Sequence, residues 1–148
     1  QQNLRFNAKI KRVIIDGSIE ARYWHATSAR KNFQTINSFD VTYGLNIQLP
    51  LPGQFAFSSD CKLYQRAGYS DASMNDLRFV ANAHLEKTFL RGRLNVALEG
   101  YDIFGGLSNV TKVINAQGIV ETWYNSLPSY AMIQISYKLS QPPKKRNQ

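Results

Sequence analysis

The chain has 148 residues, 18 Lys and Arg against 10 Asp and Glu for a formal charge of +8, and 43% apolar residues, which sizes it as one domain or part of one. No run of about 18 apolar residues is present, so no transmembrane helix is encoded, and the lone Cys61 excludes an intramolecular disulfide and a Cys-based zinc cluster. A mean hydropathy of -0.36 looks soluble, yet a transmembrane strand hides its apolar residues among polar ones and barely raises that average, so a membrane barrel stays open.

In chain order, seven long segments alternate apolar and polar residues, the two-residue period of a strand with one greasy and one wet face. Asn3 to Ile14 places Leu4, Phe6, Ala8 and Ile10 opposite Arg5, Asn7, Lys9 and Lys11. Asp16-Gly17 reads as a hairpin turn into the second segment, Ser18 to Ala26, with Ile19, Ala21 and Tyr23 opposite Glu20 and Arg22. The third, residues 38–49, is apolar at every odd position from Phe39 to Leu49 and polar or glycine at every even one. After Pro50-Leu51-Pro52-Gly53 the fourth, Gln54 to Gln65, sets Phe55, Phe57, Cys61 and Leu63 against Ser58, Asp60 and Lys62. The fifth, Asp76 to Leu90, has Leu77, Phe79, Ala81, Ala83 and Leu85 opposite Arg78, Asn82, His84 and Glu86. Arg91-Gly92-Arg93 turns into the sixth, with Leu94, Val96 and Leu98 opposing Asn95 and Glu99, and Ser129 to Leu139 is the seventh.

Connections alternate in length: short at 15–17, 50–53 and 91–93, long at 27–37, 66–75 and 105–128. In an up-and-down meander this sends every short turn to one end and every long loop to the other, the asymmetry of outer-membrane barrels. Each segment is about long enough to cross hydrocarbon as a tilted strand. The mixed charges of the polar faces require water or one another, which a wide lumen supplies. The expected fold is therefore all-β, an antiparallel up-and-down meander of about seven long strands forming part of a transmembrane β-barrel over 1–140, with 141–148 a flexible basic tail on the periplasmic side. An odd strand count points to a piece of a larger barrel, and the opening Gln1-Gln2-Asn3 suggests a mature or truncated start.

Catalytic signals are sparse, and no enzyme, cofactor or metal site is expected. His84 with Glu86 and Asn82 falls short of a metal ligand set, Ser58-Ser59-Asp60 has no histidine at useful spacing for a hydrolase triad, and Gly105-Gly106 lacks the setting of a phosphate loop. Nucleic-acid binding by the basic first segment is disfavoured because Phe6 lies opposite the cations. If the chain is a receptor wall, ligand contact falls to aromatic residues of the long loops, Trp123, Tyr124 and Tyr69.

The stretch from Leu85 to Leu139 carries a resemblance. Arg91-Gly92-Arg93 feeding Leu94-Asn95-Val96, then Tyr101-Asp102-Ile103-Phe104, a long loop with Asn109 and Thr122-Trp123-Tyr124-Asn125, and an aliphatic and aromatic last strand resemble the C-terminal end of the TonB-dependent-receptor-like outer-membrane barrels common in Bacteroidetes. The resemblance implies a receptor of the bacterial outer membrane, with a plug inside a large barrel, partnered by lipid, by the remaining strands and plug, and through the plug by TonB. The alternative from the same residues is a soluble antiparallel barrel or sandwich, its apolar faces forming a core that binds a small apolar ligand or a protein.

Overall fold

The computed structural model describes residues 1–27, 36–115, 118–125, 127 and 129–139. Among the described residues nine strands form: β1 (Gln2–Ile10), β2 (Val13–Ala26), β3 (Ile36–Leu51), β4 (Phe55–Ala67), β5 (Asp76–Phe89), β6 (Leu94–Tyr101), β7 (Val110–Asn115), β8 (Gly118–Trp123) and β9 (Tyr130–Tyr137). Seven make one antiparallel sheet in the order β1-β2-β3-β4-β5-β6-β9, and β7-β8 is a separate hairpin. Among the described residues there is no α-helix, only 3-10 turns at Ala72–Met74 and Leu90–Gly92. The sheet is open, with β1 and β9 at its edges. The expected basic tail, 141–148, lies outside the described residues.

Register keeps every apolar stripe on one face. Leu4 pairs with Ile19, Ile19 with Tyr43, Tyr43 with Leu63 and Leu63 with Phe79; farther along, Leu85 pairs with Leu98 and Leu98 with Ile133. A slip of one residue would have turned a stripe to the wrong side, so seven amphipathic strands lock one another's register.

Two expectations need correction. Asp16-Gly17 is not the first turn: it lies inside β2, where Asp16 pairs with Asn7 and Gly17 with Phe6, and the chain reverses at Lys11-Arg12, with Lys11 in the left-handed region at φ 57°. The glycine serves a close approach instead. Phe6 lays its ring where a Cβ on Gly17 would stand, so the missing side chain is filled from the neighbouring strand. The run 105–128 is also not a plain loop, since it folds into the β7-β8 hairpin.

The ends of the sheet are staggered. β1-β2 closes after Ile10↔Val13, in the row of Leu49; β3-β4 closes at Leu51↔Phe55, two residues farther on. Phe55 pairs with Lys87, and β5-β6 closes at Phe89↔Leu94, two residues farther again. At the other end β2-β3 begins at Ala26↔Ile36, while β4-β5 begins at Arg66↔Asp76 in the row of Asp40. Both ends therefore slant in one direction.

Candidate functional site: the polar face

Polar side chains from six adjacent strands meet on the face opposite the apolar stripes. Its centre is a row crossing five strands, Asn7, Asp16, Asn46, Asp60 and Asn82, each directly opposite the next. Amide and carboxylate alternate along it. Asn7 donates to Asp16, and Asn82 Nδ2 donates to Asp60 at 2.9 Å. Gly44 keeps the adjoining floor low, because a Cβ there would meet the Ser18 hydroxyl. A hollow of about 670 Å³ lies over this region, bordered by Arg5, Asp16, Asn46, Asp60 and Lys62. Two further hollows flank it, one beside Arg22, Asp40 and Arg66, the other beside Ser58, His84 and Glu86.

Toward the short-turn end, His84 sits between two carboxylates, its Nδ1 at 3.2 Å from Glu99 and its Nε2 at 3.6 Å from Glu86. Tyr101 donates its hydroxyl to Glu99, and Asn95 donates to Glu86 at 3.2 Å. Ser58 lies directly opposite His84 across β4-β5, a meeting of serine, histidine and glutamate that the spacing of Ser58-Ser59-Asp60 had not indicated. Both imidazole nitrogens face carboxylates, and no hydrogen bond joins Ser58 to His84 among the described residues, so a nucleophile-base contact is not formed. Asn82 serves the Asp60 carboxylate and the backbone N–H of Asp102 rather than joining His84 and Glu86. Among the described residues no group of three His, Cys, Asp or Glu side chains is arranged to hold a metal ion.

At the long-loop end, four cations among the described residues are matched. Arg22 lies 3.5 Å from Glu20, Arg66 3.4 Å from Asp40, Arg78 2.7 Å from Asp76 and Lys112 2.9 Å from Glu121. Tyr69 belongs to this set: it is 7% exposed, donates its hydroxyl to both oxygens of Asp40, and lies under the Arg66 guanidinium at 4.6 Å. Asn75 clasps its backbone from both sides. Nearby, Ser73 donates to Asp71 at 2.8 Å, and its hydrogen bonds hold that carboxyl below the usual carboxylate range.

The long connection after β6 is moored rather than loose. Asp102 is buried; its carboxylate accepts from Gly106 N at 2.7 Å and Leu107 N at 2.9 Å, and Ile103 N donates to Ala81 O at 2.9 Å. Gly106 rests on the Phe79 backbone with no space for a Cβ. These contacts cover the part of β5 beyond Ala83, where β6 no longer pairs. Arg66 donates to Lys112 O at 3.1 Å and Lys112 to Ser73 at 3.2 Å, which ties the β7-β8 hairpin to the loop after β4. Trp123 and Tyr124 end that hairpin in the open, Trp123 at 74% exposure. Of the three aromatic residues expected to meet ligand, two are thus accessible and Tyr69 is not, and no ring contact joins them among the described residues.

The chain matches no known protein family, no curated protein and no solved structure.

Proposed function

We propose that this chain is a length of wall of a bacterial outer-membrane β-barrel, its apolar face against lipid and its polar face lining a hydrated lumen, in a receptor that takes up ligand. One observation carries the reading: large aliphatic side chains of the apolar face stand exposed, while charged side chains of the polar face are partly covered. Leu45 in the middle of the sheet is 40% exposed, Leu98 51% and Leu77 65%, whereas the Glu99 side chain is 13% exposed and Arg66 22%. A soluble sheet buries its apolar face under a second layer, and among the described residues none covers this one. So large an uncovered apolar face requires an apolar surrounding.

The sorting of short turns and long loops to opposite ends supports the same reading, and further strands would pair with β1 and β9 to complete the wall, since lipid tolerates no free sheet edge. The resemblance of the C-terminal third to TonB-dependent receptors supplies the receptor class. Trp123 and Tyr124, exposed on the moored hairpin, take the ligand-contact role in this reading.

The lone cysteine is a built-in probe. Cys61 lies on the apolar face between Leu45 and Ala81, and Lys62 follows it on the polar face. In native membranes a water-soluble maleimide should leave Cys61 unmodified while a lipid-phase thiol reagent modifies it; Lys62→Cys in a Cys61→Ser background should show the reverse. Modification of Cys61 by the water-soluble reagent, or its protection from both, would reject the lipid-facing assignment.

A further inference from the structure

The formal charge of +8 is unevenly placed. The stretches 8–15, 49–57 and 87–96, which span the three short turns, contain six cations, Lys9, Lys11, Arg12, Lys87, Arg91 and Arg93, and no Asp or Glu. At the long-loop end Arg22, Arg66, Arg78 and Lys112 each lie within 4 Å of a carboxylate. None of the six short-turn cations forms an ion pair among the described residues. Lys138, whose N–H donates to Arg93 O at 2.8 Å, adds its charge to the same rim.

Lys87 shows where this rim sits. It points to the apolar face, paired with Phe55 and Val96, and its ammonium lies 4.2 Å from the Phe55 ring centre and 4.9 Å from that of Phe89. A lysine on a mainly apolar face is tolerated where its stem lies along apolar surface and its head reaches polar surroundings, and the two ring faces hold the head by cation–π attraction. Ile10, Leu51, Leu90 and Tyr137 are exposed around the same rim. Greasy side chains interleaved with unpaired cations match the boundary between acyl chains and phosphates.

On the strength of the barrel-wall reading, we propose that the short-turn rim is a docking surface for anionic phospholipid headgroups, with Lys87, Arg91 and Arg93 the contact set on the β5-β6 turn and Lys11 and Arg12 the set on the β1-β2 turn. Charge complementarity selects the occupant: each unpaired cation near a negatively charged lipid surface lowers the free energy of the complex, and Arg91 and Arg93 present planar donor forks suited to phosphate oxygens. Seated in this way, the rim fixes the depth of the wall in the bilayer.

The test is lipid retention by the full-length protein, purified in mild detergent with phosphatidylcholine and phosphatidylglycerol in equal amounts and weighed by native mass spectrometry. The expected result is several-fold more retained phosphatidylglycerol than phosphatidylcholine, with the preference removed by combining K87Q, R91Q and R93Q and weakened by raised salt. R91Q with R93Q alone changes only the exposed turn and should halve the preference or more, which covers the case where the triple variant does not fold. Equal retention of both lipids by a folded protein, an unchanged preference in the variants, or full competition by inorganic phosphate would overturn the headgroup assignment. These outcomes are separate from failure of the wall reading, which the Cys61 labelling reports: a lipid-facing Cys61 with no headgroup preference sinks this proposal alone.

Discussion

Neighbouring residues on one strand meet different surroundings, and Leu45 and Asn46 show it most directly. Leu45 pairs with Gly17 and Cys61 on the open apolar face; Asn46 sits between Asp16 and Asp60 above the central hollow. If the apolar face meets lipid as proposed, an arginine at Leu45 would have to leave hydrocarbon or drag water into it, at a cost of about 2–4 kcal/mol near mid-bilayer. The same arginine at Asn46 finds two carboxylates and room for its stem. Urea unfolding of the refolded protein in lipid vesicles should therefore register a loss of that size for Leu45→Arg and close to none for Asn46→Arg. Equal losses would contradict the two-solvent assignment. Alternation in residues 38–49 makes this contrast legible in the sequence. The partners of Asn46 were not legible, because a row such as Asn7, Asp16, Asn46, Asp60 and Asn82 exists only once register is set. That register depends on a turn at Lys11-Arg12 with none of the usual Asn-Gly or Asp-Gly chemistry.

The elements divide into a wall whose strands could be read from the sequence and a superstructure whose strands could not. Long strands announce themselves by many alternations; β7 and β8 have six residues each, too few for periodicity to separate them from a loop. Their runs of Val, Ile and Thr, two positions apart, were the available signal. Asp16-Gly17 misled for a related reason: the pair is strong turn chemistry, but Val13, Ile14 and Ile15 before it are committed to pairing with β1, and the glycine is needed under Phe6. The mooring at Asp102 is an element-scale feature too, since one buried carboxylate organises everything between β6 and the hairpin. Asp102→Ala removes the acceptor for two backbone N–H groups, with a local cost on the order of 2 kcal/mol. Protease added to the purified protein should then cut within 102–125 while the seven-stranded sheet stays resistant. In the proposed receptor reading, Trp123→Ala with Tyr124→Ala should lower ligand uptake without that cleavage. Uncut Asp102→Ala protein would mean that Gly106 on Phe79 and the Arg66 tie suffice.

At the scale of the whole molecule, the stagger of the short turns carries a number. Each turn lies two residues beyond the preceding one over a lateral step of two strands. With about 3.3 Å per residue and about 4.8 Å between strands, that is about 6.6 Å along the strands for about 9.6 Å across them. If the three turns lie at one depth in the bilayer, as tight periplasmic turns do, the strands tilt by about 35° from the barrel axis, within the range that closed transmembrane barrels require. A soluble sandwich places no such condition on its turns, because no plane outside the protein has to be met. In that arrangement the slant would also bring Lys11, Arg12, Lys87, Arg91 and Arg93 to a common level, although they are spread over several rows of the flat register. Polarised infrared spectroscopy of the protein in aligned bilayers reads this directly: amide I dichroism should give a mean strand tilt of about 35–45°. Strands lying flat on the membrane, or without preferred orientation, would separate the stagger from membrane insertion and leave the apolar face to be covered by protein.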